Sequence, residues 1–243
     1  MVLDLSRTAL LISDDGLKRL AAARVLVAGI GGVGSYAAEA LARAGIGSLT
    51  LVDGDCVQAS NINRQLHALT TTVGRPKVAV MAERLVQINP SLQLTPLHEV
   101  VTPENSAELL GPGYDIVLDA IDTFSAKLGL ITACVRCGLP IVASMGAAGR
   151  LDPARIHTAS LAESHGCRLA RKLRKALRRE GIEEGVRVVY SDEPFAVHSF
   201  GEHSPAEGDL RRPLGSISYL PAMFGLQMAA EAIRLLLADI PKK

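Results

Sequence analysis

Tryptophan is absent from the 243 residues, and four tyrosines with four phenylalanines bring aromatics to only 3%. So sparse a set argues against a stacking platform for single-stranded bases. Neither sign of charge is in excess, with 26 Lys and Arg against 25 Asp and Glu. A net charge of +1 excludes a uniformly basic nucleic-acid coat and an acidic tail protein alike. Cysteine is scarce, four in the chain, and the opening MVLDLSRTAL shows no basic region followed by an apolar run. No secretory signal is expected, and reduced thiols in the cytoplasm are the natural reading. The longest apolar stretch near the carboxyl end, Tyr219 to Ile240, is broken by Glu231 and Arg234. It falls short of the roughly 18 uninterrupted apolar residues of a membrane span and reads as a buried helix.

What is present is core-forming sequence, 48% hydrophobic and ample for one α/β domain with an appended piece. Arg24–Ala28 is a short apolar run ending in glycines, the pattern of a buried parallel strand. A helix follows over 32–44, then a strand over Ser48–Val52 and a helix from Pro76 to Ile88, stopped by Asn89-Pro90. Further strands are expected over 92–97, 115–121 and 141–144, with a helix over 126–136 between the last two. This alternation predicts an α/β, Rossmann-like fold: a mostly parallel twisted sheet with helices on both faces. The whole of 1–243 reads as one nucleotide-binding domain, with an arm and helix over 1–23 and a core over 24–150. A late α/β extension over 151–243 carries a basic helix near 167–180, a strand near 186–190, a mobile loop over 196–215 and a terminal helix. His165, His198 and His203 have no metal-ligand spacing and receive no role.

Gly29, Gly31, Gly32 and Gly34 lie between the first strand and the first helix of the core. Glycines there let the backbone approach a phosphate whose charge meets the helix amino end. Asp53 follows at the end of the second strand, where an acid can accept from ribose hydroxyls. The pattern alone favours a nicotinamide dinucleotide. However, Asp55, Asn61, Arg64, Lys77 and Asp122 follow downstream, and a dehydrogenase has no need of two cations and a further carboxylate around its phosphates. An enzyme that splits ATP does, because Arg and Lys offset triphosphate charge and an aspartate holds Mg²⁺. Singly, Lys77 reads as well as a solvated helix residue and Asp122 as a helix amino-cap; as a set they favour ATP over NAD.

At these residues the sequence resembles the ubiquitin-activating-enzyme-like adenylating superfamily, and within it the tRNA threonylcarbamoyladenosine dehydratases. The resemblance is carried by GIGGVGSYAAEALARAGIGSLTLVDGD, NINRQLHAL, VGRPKVAVMAERLVQINP, LDAIDT and SMGAAGRLDP, about two thirds of the chain. It implies Gly29 to Gly34 under the α-phosphate region, Asp53 on ribose, Asn61, Arg64 and Lys77 facing phosphates, and Asp122 on Mg²⁺. It also implies a homodimer in which Arg7 reaches the neighbouring subunit's ATP. The implied chemistry is adenylation of the threonyl carboxylate and ring closure by a nitrogen of the same group, with net loss of water. A sulfur-transfer protein is a further candidate partner beside tRNA; activation of a ubiquitin-like sulfur-carrier protein is the alternative within the superfamily, and an NAD-dependent oxidoreductase is a more distant one. Carrier activators typically hold zinc on two C-x-x-C pairs. This chain has only Cys134-Val-Arg-Cys137, so structural zinc is not expected.

The second pointer to RNA is the basic helix. Arg168, Arg171, Lys172, Arg174, Lys175, Arg178 and Arg179 fall within 12 residues without an acid among them. Residues 150–187 carry +5, leaving −4 for the remainder, so the positive charge is concentrated in the extension, where it could neutralise tRNA phosphates. A solvated amphipathic helix is the competing account.

Overall fold

Apolar residues alternate between the two sides of the first strand, β1 (Arg24–Ala28). Val25 and Val27 join one core cluster, Leu26 and Ala28 another. The same two-sided burial recurs in β2 (Ser48–Val52), β4 (Ile116–Asp119) and β5 (Ile141–Ser144), as a sheet covered on both faces requires. The computed structural model describes residues 3–194 and 215–238. With β3 (Gln93–Leu97), β6 (Ile156–Ser160) and β7 (Val186–Ser191) it has a seven-stranded sheet, ordered β3-β2-β1-β4-β5-β7-β6. All pairings are parallel except the one between β6 and β7.

On one face lie α1 (Ser6–Ala22), α2 (Gly34–Arg43), α3 (Lys77–Ile88) and α7 (Leu220–Leu236), contributing Leu20, Leu41, Met81 and Phe224 to the first cluster. On the other lie α4 (Ser106–Leu109), α5 (Phe124–Arg136) and α6 (Arg168–Arg179), contributing Leu109, Leu130 and Leu173 to the second. The carboxyl-terminal apolar stretch is α7, packed on the sheet. Its buried Glu231 is held by Arg187 and Arg234, each at 2.7 Å. Among the described residues no helix is long and apolar enough to cross a membrane.

The expected extension continues the sheet instead of forming a separate layer: β7 pairs with β5, and β6 adds the antiparallel edge. Sequence patterning passes over β6, because every residue of IHTAS is half-buried and no alternation results. The helix expected over 32–44 begins at Gly34, and the strand expected over 115–121 is confined to Ile116–Asp119. On α6 the buried stripe is Ala170, Leu173 and Leu177, with Leu169 at its flank. Residues 196–214 of the expected mobile loop, with His198 and His203, lie outside the described residues.

Candidate active site

β1 lies between β2 and β4, and helices leave its carboxyl end for one face and that of β4 for the other, so a crevice opens outside these strand ends. Each glycine of the loop does something different there. Gly29 has φ +87°, and a Cβ on it would sit 2.8 Å from the Ala120 carbonyl. A Cβ on Gly34 would lie 1.8 Å from the Gly29 carbonyl oxygen. These two build the loop and seat α2. Gly32 faces Pro221 and the stem of Arg64. Gly31 alone is open: the nearest atom to its missing side chain is Gln65 Nε2, at 3.8 Å. That open side, at the amino end of α2, is where a phosphate can reach the backbone.

Asp53 pins the loop. Its Oδ2 accepts from the Ile30 amide at 2.6 Å and its Oδ1 from the Asp55 amide at 2.8 Å. Each carboxylate oxygen keeps a second lone pair, so a ribose hydroxyl can still donate to it. Lys77 opens α3 with its side chain buried between the two acids, Nζ 2.6 Å from Asp55 Oδ2 and 3.9 Å from Asp53 Oδ1. Arg64 uses one guanidinium nitrogen on the Ser60 carbonyl and on Asn63 Oδ1, both at 2.9 Å, leaving the rest of its fork available. Asn61 is buried and its Oδ1 accepts from the Gln58 amide at 3.1 Å, closing the short turn that presents Arg64. Asp122 is exposed in the turn after β4, which abuts Gly29 through Ala120.

The arrangement fits a nucleoside triphosphate: an open glycine at a helix amino end, two cations beside it and a ribose-competent acid. Asp122 enters no ion pair among the described residues. A single carboxylate suits Mg²⁺, which keeps several of its waters and is otherwise bound by substrate phosphates. No group of three or more His, Cys, Asp or Glu able to hold a metal ion occurs among the described residues.

Other expected residues are dispersed. Arg7 is exposed on the first turn of α1, beside Leu10 and Leu11, which are 81% and 87% exposed. Along α6, Arg168, Arg171, Lys172, Lys175 and Arg178 are exposed. Arg174 turns inward, its Nη1 donating to the carbonyls of Leu161 at 2.9 Å and Ser164 at 2.6 Å. Lys172 places its ammonium 4.0 Å from the centroid of Phe124, two residues after Asp122, so the basic face adjoins the crevice. Cys134 is buried, its thiol pushed up to about 12 by burial, while Cys137 is exposed and both are free thiols.

Sequence reasoning passed over two neighbours. Gln65 Oε1 and both ring nitrogens of His67 are buried without a hydrogen-bond partner. Burial, with the Lys77 charge nearby, lowers the His67 imidazole to about 4, so it is neutral at pH 7. The hint in the sequence was a histidine and a glutamine inside NRQLHAL, a run too apolar on its other positions for a solvated loop.

The ThiF family profile matches residues 5–243. The chain is 40% identical over 249 aligned positions to a tRNA threonylcarbamoyladenosine dehydratase of Bacillus subtilis, covering 100% of this chain and 98% of that one. The crystal structure of the Escherichia coli tRNA N6-threonylcarbamoyladenosine dehydratase in complex with ATP matches with a TM-score of 0.87 and 39% identity, over 97% of this chain and 94% of that chain. Likeness to the Escherichia coli sulfur carrier protein ThiS adenylyltransferase is 39% over 142 positions and stops at 58% of this chain and 56% of that protein. This chain is thus a member of the ThiF family and, within it, of the tRNA threonylcarbamoyladenosine dehydratases.

Proposed function

We propose that the protein uses ATP to dehydrate and cyclise the threonylcarbamoyl group on the adenosine next to the anticodon of tRNA. The observation that supports this reading is the open Gly31 at the amino end of α2, with Arg64 against the neighbouring Gly32 and Lys77 against the Asp53 that pins the loop. A carboxylate is a poor acyl donor because its leaving group would be oxide. Transfer of AMP to the threonyl carboxylate replaces oxide with a good leaving group, and pyrophosphate departs. A nitrogen of the same carbamoyl group, already tethered, then attacks the carbonyl and expels AMP. The chain's own work is positioning and charge stabilisation. Arg64 and Lys77 offset the phosphates, Asp53 and Asp55 orient Lys77 and the ribose, and Asp122 holds the Mg²⁺ that screens the triphosphate.

The exposed Arg7, Leu10 and Leu11 support a homodimer in which the arginine completes the partner's site. The exposed cations of α6 support tRNA phosphate contacts, and a tRNA substrate supports a cytoplasmic setting. Activation of a carrier protein is the weaker reading, since likeness to such an activator ends at 58% of the chain. The test is mass spectrometry of nucleosides from threonylcarbamoylated tRNA incubated with the protein and ATP. Loss of one water from the modified adenosine is expected; pyrophosphate exchange with a sulfur-carrier protein and none with tRNA would overturn the proposal.

A further inference from the structure

Two charged side chains lie wholly inside the protein and take no part in the site as built above. Asp119, the last residue of β4, and Lys127, in the first turn of α5, have no exposed surface. Lys127 Nζ donates to Asp119 Oδ2 at 2.8 Å and also approaches the Asp119 carbonyl oxygen at 3.4 Å. The other carboxylate oxygen, Oδ1, accepts from the Ile121 amide at 3.0 Å, and the Lys127 amide donates to the Thr123 carbonyl at 3.0 Å. The Asp119 carboxylate thus holds the start of the turn 120–123, and the first backbone bond of α5 closes its end. Asp122 sits in the middle of that turn, and Ala120 at its start donates its amide to the Ala28 carbonyl at 2.8 Å.

Stability alone does not account for such a pair, because well-packed apolar residues of similar volume often serve a core as well or better. What an apolar pair cannot do is fix the start of a short turn through directed hydrogen bonds, as the Asp119 carboxylate does on the Ile121 amide while Lys127 holds it in place. We propose that Lys127 is a positioning residue: through Asp119 it fixes the 120–123 turn so that Asp122 meets the divalent ion bound with ATP. This rests on the reading of Asp122 as the metal-holding group.

The experiment titrates Mn²⁺ into the full-length protein with ATP, following bound Mn²⁺ by electron paramagnetic resonance. Melting temperature and metal-free ATP affinity are measured alongside. Lys127→Met leaves a buried carboxylate unpaired and risks the fold, so Asp119→Leu combined with Lys127→Met, which removes both charges and the acceptor for the Ile121 amide, is the principal variant. It is expected to fold and to bind metal-free ATP within threefold of the parent. Its Mn²⁺ affinity in the ATP complex should drop at least tenfold, with kcat lowered more than KM for ATP is raised. A folded double variant with parental Mn²⁺ affinity would overturn the proposal, and so would failure of both variants to fold, which would make the pair structural. Asp122→Asn separates the two readings. If it leaves Mn²⁺ affinity unchanged, the role of Asp122 itself falls; if it weakens Mn²⁺ while the double variant does not, only the role of Lys127 falls.

Discussion

Gly31→Ala is the substitution that most directly tests the phosphate loop, because fold and ligand make opposite demands on that position. The new methyl has ordinary van der Waals room, with Gln65 Nε2 at 3.8 Å as its nearest neighbour. Where the backbone tolerates it, Gly→Ala stabilises by about 0.4–1 kcal/mol through the unfolded chain. In a domain of this size that raises the melting temperature by about 1–4 °C. On the proposed reading the same methyl would fill the side from which a phosphate oxygen approaches the loop and remove a charge-assisted hydrogen bond worth about 1.5–3 kcal/mol. ATP binding should therefore weaken by roughly tenfold to a hundredfold, at 1.4 kcal/mol per factor of ten. Gly34→Ala is the contrast: its methyl would lie 1.8 Å from a backbone oxygen that no rotamer change can move. It should cost about 3 kcal/mol or more and lower the melting temperature sharply. Calorimetric titration with a non-hydrolysable ATP analogue and a thermal melt on each variant give both quantities. Parental nucleotide affinity in a folded Gly31→Ala protein would show that the loop does not face the phosphates.

Charge reversal at Arg171 and Lys175 should weaken tRNA binding and flatten its logarithmic salt slope by about 0.7 or more per lost phosphate contact, leaving ATP affinity unchanged. Arg174→Ala should instead lower thermal stability, by about 1.5–3 kcal/mol for its lost carbonyl contacts, with the salt slope intact. Arg7→Ala and Asp122→Ala proteins, each expected to be inactive alone, should regain part of the activity in a turnover assay when mixed under conditions that allow subunit exchange; no recovery would count against a shared site. His67 bears on acid stability. The unfolded imidazole takes its proton near pH 6.5 and the folded one only near 4, so stability declines as pH falls between these values and is flat above. The full effect is about 3 kcal/mol, and His67→Leu should remove that slope from urea melts run across the window.

The sheet and the nucleotide loop were legible because two-sided burial gives continuous apolar strands, and a glycine run between strand and helix has few other uses. The edge strand β6 was not, since an antiparallel edge with every residue half-covered leaves no period to detect. Arg174 shows a second limit. It belongs to the same basic run as Arg171, and only the helix phase relative to the 161–164 turn turns it inward. Lys127 carried a signal that went unread: one lysine among Ala126, Leu130, Ile131 and Cys134, all buried, demands an opposite charge, and Asp119 ends an otherwise apolar strand. The division of labour among the glycines was invisible in sequence, because a missing side chain looks the same whether it clears space for backbone or for ligand.

The basic helix α6 connects β6 to β7, two strands hydrogen-bonded to each other, and its apolar stripe shares a core cluster with α5. Tilting it means prising that stripe from the core it shares with α5, the helix that follows Asp122. The seated stripe thus sets where the cationic face stands relative to the sheet. An RNA gripped along that face would meet the crevice at one register, and the nucleotide presented there would be chosen by measurement from the grip as much as by any contact with the base.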